Sequence, residues 1–144
     1  EHDTSLTTVT APKLSYVTAN FNLVNLPSLD QLDFASLVAI GGTVYWYALP
    51  QLTDLLAFSS LSSIGGNFTV TSCNGLTDFT GLSQLVDVAS MTITQNAELT
   101  SFAGLSSFQK VGGDLTIVAN PKLPAATAQA FANAITVAGT TTIN

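Results

Sequence analysis

The sequence predicts a parallel β-solenoid of about five coils, finished by a short C-terminal helix. Three observations carry that prediction. A corner motif recurs as Ile40-Gly41-Gly42, Ile64-Gly65-Gly66 and Val111-Gly112-Gly113, with Val88-Ala89-Ser90 as a degenerate copy, at successive offsets of 24, 24 and 23 residues. Each corner leads into a short segment that alternates apolar and polar residues. Two more apolar clusters separate that segment from the next corner, giving three per turn. Periods of this length mark stacked repeats, in which no unit buries its apolar face alone but neighbours bury it together. The 144 residues are read as one repeat domain, 1–144.

The elements follow in order. Residues 1–19 are a lead-in, with a partial strand over Ser5–Thr10 and a truncated coil ending at Ala11-Pro12-Lys13-Leu14. Full coils start at Asn20, Thr43, Asn67 and Met91, and a last strand starts near Asp114. Period-two alternation places strands near 20–24, 43–47, 67–71, 91–95 and 114–118. Their inward pairs are Phe21/Leu23, Val44/Trp46, Phe68/Val70, Met91/Ile93 and Leu115/Ile117. The second cluster is Leu29/Leu32, Leu52/Leu55, Leu76/Phe79 and Leu99/Phe102; the third runs into each corner, as Phe58, Leu61 and Ile64 do. The Gly-Gly pairs allow the close backbone approach of a tight corner.

Each strand segment ends at Leu26, Leu49, Cys73, Asn96 or Asn120. That position matches the Asn/Cys position of leucine-rich repeats. An inward amide there must bond the backbone of a neighbouring coil, which gives Cys73 a structural role as a small buried hydrophobe. The pattern breaks after Pro121. Pro124–Ile135 predicts a helix with Ala128, Phe131, Ala132 and Ile135 on one stripe, Pro at its start and Gly139 past its end. Thr140–Asn144 reads as one more strand. The helix is expected to cover the end of the stack, where a bare coil would be an aggregation edge.

Quoted in full, VTAPKLSYVTANFNLVNLPSLDQLDFASLVAIGG, GGNFTVTSCNGL and VGGDLTIVANPKL resemble the fungal GPI-anchored cell-wall organisation proteins of the extracellular-mutant and sporulation-specific type. Those are in turn similar to the receptor L domains of insulin and growth-factor receptors. The resemblance spans about Thr7 to Asn144. It implies a right-handed parallel β-helix of leucine-rich-repeat/L-domain type, an extracellular location at the cell wall or surface, N-glycosylation and a role in wall integrity, with no catalytic residues to carry over. The family commonly has terminal cysteines, more sequons and a Ser/Thr-rich tail with an anchor signal; here there are one cysteine and one sequon. The expectation is a short secreted relative, or a domain cut from a longer chain, with a processed or trimmed N-terminus at Glu1.

Composition excludes several functions. The net charge is −6 and only Lys13, Lys110 and Lys122 are basic, so no basic stripe exists to release phosphate counterions from nucleic acid or to bind anionic lipid. No apolar run approaches the roughly 18 residues of a membrane helix, so direct membrane insertion is not expected. Cys73 is the one cysteine, which rules out an internal disulfide, and no cation lies near it in sequence to activate a thiolate. His2 is the one histidine; a catalytic triad or a histidine metal site would have to recruit it from the terminal segment. No phosphate loop or dinucleotide motif is present, and no cofactor or metal is expected.

The carboxylates Asp54 and Asp78 occupy the same position in adjacent coils. Stacked at one strand spacing, roughly 4.8 Å, they would stand near the roughly 5–5.5 Å of a retaining glycosidase pair. Against that polysaccharide-active alternative stands their ordinary use as turn residues. The outward strand positions form the candidate binding face: Asn22, Tyr45, Tyr47, Thr69 and Thr71. Two substantially exposed tyrosines among hydroxyls and an amide suit a cell-wall glycan or a protein ligand. A Thr-x-Thr ladder also suits ice, but only two coils keep the full motif and the tyrosines break its flatness. Asn67-Phe68-Thr69 is a glycosylation sequon, the third candidate site.

Overall fold

The computed structural model describes residues 3–144; His2 lies outside the described residues. Strands β1 (Thr8–Thr10), β2 (Tyr16–Val17), β3 (Phe21–Val24), β4 (Gln31–Asp33), β5 (Ala39–Ile40) and β6 (Val44–Tyr47) are followed by a 3-10 turn at Leu56–Phe58. Then come β7 (Ser63–Ile64), β8 (Phe68–Thr71), β9 (Asp87–Val88), β10 (Met91–Thr94), β11 (Lys110–Val111), β12 (Leu115–Val118), helix α1 (Ala125–Ala134), β13 (Thr136–Val137) and β14 (Thr141–Ile143). The long strands stack into one six-stranded sheet, β14-β12-β10-β8-β6-β3, and the short ones into a second, β13-β11-β9-β7-β5-β2. Every pairing is parallel. The molecule is a parallel β-solenoid.

The stack has about six turns, not five. Two partial turns account for the difference. At the N-terminal end β1 pairs with β4 and β2 with β5, so residues 8–17 already form part of a coil. At the other end β13 and β14 extend both sheets, and α1 replaces the intervening arc. Phe131 of α1 stacks on Phe102, with ring centroids 4.1 Å apart, and lies 6.0 Å from Phe108. The helix therefore covers the stack's end through the apolar stripe at Ala128, Phe131 and Ala132.

The register is that of the corner repeat. Val44, Phe68, Met91 and Leu115 align as one inward row, and Trp46, Val70, Ile93 and Ile117 as the next. All eight are buried. Beyond the strand the inward period changes from two to three. Leu49, Leu52, Leu55, Phe58, Leu61 and Ile64 are buried, and so are Cys73, Leu76, Phe79, Leu82, Leu85 and Val88 one coil later. An aromatic chain threads this core from Phe21 and Phe34 through Phe58, Trp46, Phe68, Phe79 and Phe102 to Phe131.

Polar ladders run beside the apolar ones. Asn96 Oδ1 accepts from Cys73 N–H at 2.9 Å, and Asn120 Oδ1 from Asn96 N–H at 3.0 Å. The Asn96 amide donates to Val70 O at 3.1 Å and the Asn120 amide to Ile93 O at 2.9 Å. Cys73 imitates the amide one coil earlier: its thiol donates to Trp46 O at 3.8 Å. Burial pushes that thiol up to about 12, against the lowering effect of the Leu49 and Thr71 backbone, so Cys73 is an inert structural group. The residue before each ladder position is left-handed without being glycine: Asn25, Ala48, Ser72, Gln95 and Ala119 have φ between 54° and 58°. The first four donate their N–H to the next coil's backbone, as Ala48 does to Thr71 O at 3.1 Å, and these bonds offset the cost of the conformation.

Truncation of a buried ladder residue tests this packing. Phe68→Ala should destabilise the chain by roughly 3–5 kcal/mol in denaturant melts, as buried aromatic truncations do. A near-neutral result would show the inward register to be wrong.

Candidate functional site

The outer surface of the long sheet is built from the residues that alternate with the inward rows. One row is Asn22, Tyr45, Thr69, Thr92, Thr116 and Thr142 in register. The other is Val24, Tyr47, Thr71, Thr94 and Val118. All five predicted binding residues thus share one face. Because the register is parallel, like side chains stand one strand spacing apart, roughly 4.8 Å.

The two tyrosines form the face's main apolar feature. Their rings stack at 6.0 Å with an interplanar angle of 2°. Both are half-buried rather than substantially exposed, because each lies against its partner on the sheet surface. Mutual packing holds two parallel aromatic planes in place before any ligand arrives. Beside them, Thr71 and Thr94 share a hydrogen bond of 3.0 Å between their hydroxyls, while Asn22 is exposed and Thr69 half-buried. Thr142, which extends the first row to six members, belongs to the strand beyond the helix and was not assigned to this face from sequence.

Asn67 stands at the start of β8, on the margin of the same sheet, and is exposed. Its counterparts at other corners are engaged: Asn20 Oδ1 accepts from Thr43 N–H and Asp114 Oδ1 from Thr140 N–H, both at 2.8 Å. The corner after Asn67, Ala89-Ser90, is one residue shorter, and no such bond reaches the Asn67 side chain. A free, exposed carboxamide is what glycan transfer requires.

Asp54 and Asp78 are turn residues. Asp54 Oδ1 accepts from Leu56 N–H at 3.0 Å, and Asp78 Oδ1 from Thr80 N–H at 2.7 Å. Ser101 repeats the contact on Ala103 N–H at 3.3 Å. In coil one, where Gln31 aligns with Asp54, the turn bond is made by Asp33 instead, whose Oδ1 accepts from Ala35 N–H at 3.3 Å. Among the described residues no cluster of His, Cys, Asp and Glu side chains is placed to hold a metal ion. No helix among them is long and apolar enough to cross a membrane.

Comparison with known proteins adds one relationship. The chain is 30% identical over 137 residues to the protein ecm33 of Aspergillus fumigatus, a match that covers 90% of this chain and 33% of that relative. The chain thus spans about a third of the length of the curated relative it matches, and it is related to a fungal protein of the ecm33 type. No family model matches the sequence, and no solved structure matches it.

Glycan occupancy gives a direct check on the corner geometry. Expressed through a eukaryotic secretory pathway, the chain should carry one N-linked glycan, on Asn67. Intact mass should show the added hexose units and Asn67→Gln should abolish them; an unmodified mass would contradict the assignment.

Proposed function

We propose that this chain is a secreted, non-catalytic solenoid of the fungal cell wall or surface, which contributes wall architecture by recognising wall glycan through the outer face of its long sheet. The carrying observation is the pair of parallel tyrosine rings, Tyr45 and Tyr47, fixed at 6.0 Å within a field of threonine hydroxyls and the Asn22 amide. Aromatic planes cover the apolar face of a sugar ring at little entropic cost, because two χ angles are already restrained. Hydroxyls and amides at regular spacing then bond the sugar's own hydroxyls.

The relationship to the ecm33 protein and the resemblance to cell-wall organisation proteins support the location. Asp33 and Ser101 make the same turn bond in other coils, which supports turn formation, rather than a paired general acid and nucleophile, as the reason for carboxylates at positions 54 and 78.

Removing both rings tests the reading. Tyr45→Ala/Tyr47→Ala should leave the fold's far-ultraviolet spectrum and melting cooperativity intact. It should also weaken retention on isolated fungal wall fractions by on the order of tenfold, about 1.4 kcal/mol. Retention equal to that of the unaltered chain would place recognition elsewhere.

A further inference from the structure

A second site lies around the corner from the tyrosines, where the repeat is broken. In coils three and four the arc turns through Gly81 and Gly104, with φ of 117° and 95°. A Cβ at either position would meet a backbone oxygen of the coil below at 2.1 Å. These glycines therefore let each arc settle directly on its neighbour. Coil two has Ala57 at the equivalent position. It cannot make that approach, and the chain takes the 3-10 turn Leu56–Phe58 instead.

Coil one compounds the mismatch. In later coils the arcs are tied by Leu55 N–H to Thr80 O at 2.9 Å and by Phe79 N–H to Ala103 O at 2.8 Å. Leu32, the equivalent residue of coil one, makes no such bond to the next arc; it lies in β4, which pairs back with β1, and the N–H groups of Asp30 and Gln31 go to Thr7 O at 3.1 and 3.0 Å. The two arcs part, and a cavity of about 350 Å³ opens between them. It falls in the range of ligand clefts, roughly 300–1,000 Å³.

The lining has a definite chemistry. Leu32 and Ala57, both half-buried, contribute apolar surface. Leu56 flanks the cavity and is 58% exposed, against the trend of every other leucine in the stack. Asp30 and Asp54 supply two carboxylates, Gln31 an amide, and no lining residue is basic. Asp54 spends one oxygen on its turn and keeps the other.

We propose that this cavity is a subsite for a hexosamine unit, a sugar that carries a protonated amine. The ring's apolar face meets Leu56 and Ala57, and its hydroxyls bond Gln31. Its ammonium takes the charge-assisted bonds of Asp30 and Asp54, which are roughly twice as strong as neutral ones. The uncompensated negative charge selects the amino sugar over a neutral hexose or its N-acetylated form. The site is separate from the tyrosine face and does not depend on it.

The test is an amide-resolved NMR titration of the whole chain with a glucosamine tetramer, below the amine's pKa. The N-acetylglucosamine tetramer and a neutral glucan tetramer serve as the other arms. Saturable shifts centred on Leu56, Ala57 and Gln31 are expected for the glucosamine tetramer, with binding on the order of tenfold weaker in the other arms. Asp30→Asn/Asp54→Asn should weaken the glucosamine tetramer by a similar factor while keeping the fold, since an asparagine oxygen can still accept from Leu56 N–H. Tyr45→Ala/Tyr47→Ala should remove any shifts on the tyrosine face and leave those of Leu56, Ala57 and Gln31 unchanged. An equal response of the cavity amides to the three tetramers, no saturable shift at those amides, or an unaltered cavity response in the double asparagine variant would each overturn the proposal.

Discussion

The fold depends on one constraint: backbone groups in the strands and at their ends must find partners in a neighbouring coil. The arcs between them also close locally, as Leu52 N–H does on Leu49 O, but only bonds between coils fix the register of the stack. The asparagine ladder is the clearest expression of this. Asn96 and Asn120 each accept a backbone N–H from the coil before and return a side-chain N–H to a strand carbonyl. Left unmade, such buried groups cost roughly 1–3 kcal/mol each. The left-handed residues beside them persist for the same reason, since the inter-coil bond holds a conformation that Ala48 or Gln95 would not adopt alone.

The apolar core is subordinate to that register. Once the 23- and 24-residue spacings fix which residues stack, the inward rows follow, and bulk is shared between coils. Trp46 occupies a row whose other buried members are Leu23, Val70, Ile93 and Ile117. Its indole N–H is the one buried side-chain polar atom without a partner among the described residues. The row tolerates it because the Phe58 and Phe68 rings, at 5.0 and 5.4 Å, supply packing that a smaller residue would lose.

Much of this was legible in the sequence, because a repeat amplifies weak signals. The strands of the long sheet, their inward pairs and the ladder position were visible through recurrence at Ile40, Ile64, Val88 and Val111; the two-residue strands of the second sheet were not, since only pairing between coils defines them. The helix was visible through a change of period. The extra turn was harder to see: β1 and β2 hold only three and two residues and gain their identity from pairing with β4 and β5. The left-handed residues had no signature at all, because inter-coil bonds impose that conformation rather than glycine permitting it. Parity placed Tyr45 and Tyr47 on the outer face, but their degree of exposure was decided by stacking on each other. The cavity beside Asp54 had one faint mark, an extra exposed leucine, Leu56, where the other arcs carry Thr80 and Ala103. The features with functional potential thus fall where one coil departs from its neighbours: two tyrosines for threonines, a shortened corner after Asn67, and an alanine for a glycine at position 57.

The inter-coil ladder is tested most directly by native-state amide hydrogen exchange. Cys73 and Asn96 lie outside strands, yet their N–H groups are held by the next coil's side-chain amide. The account predicts protection comparable to that of Val70 and Ile93 in the strand core. Asn120 has an equivalent place in the turn but no further ladder amide above it, and its N–H should exchange markedly faster. Rapid exchange at Cys73 and Asn96, at the rate of exposed loop amides, would contradict the ladder as the constraint that holds the stack.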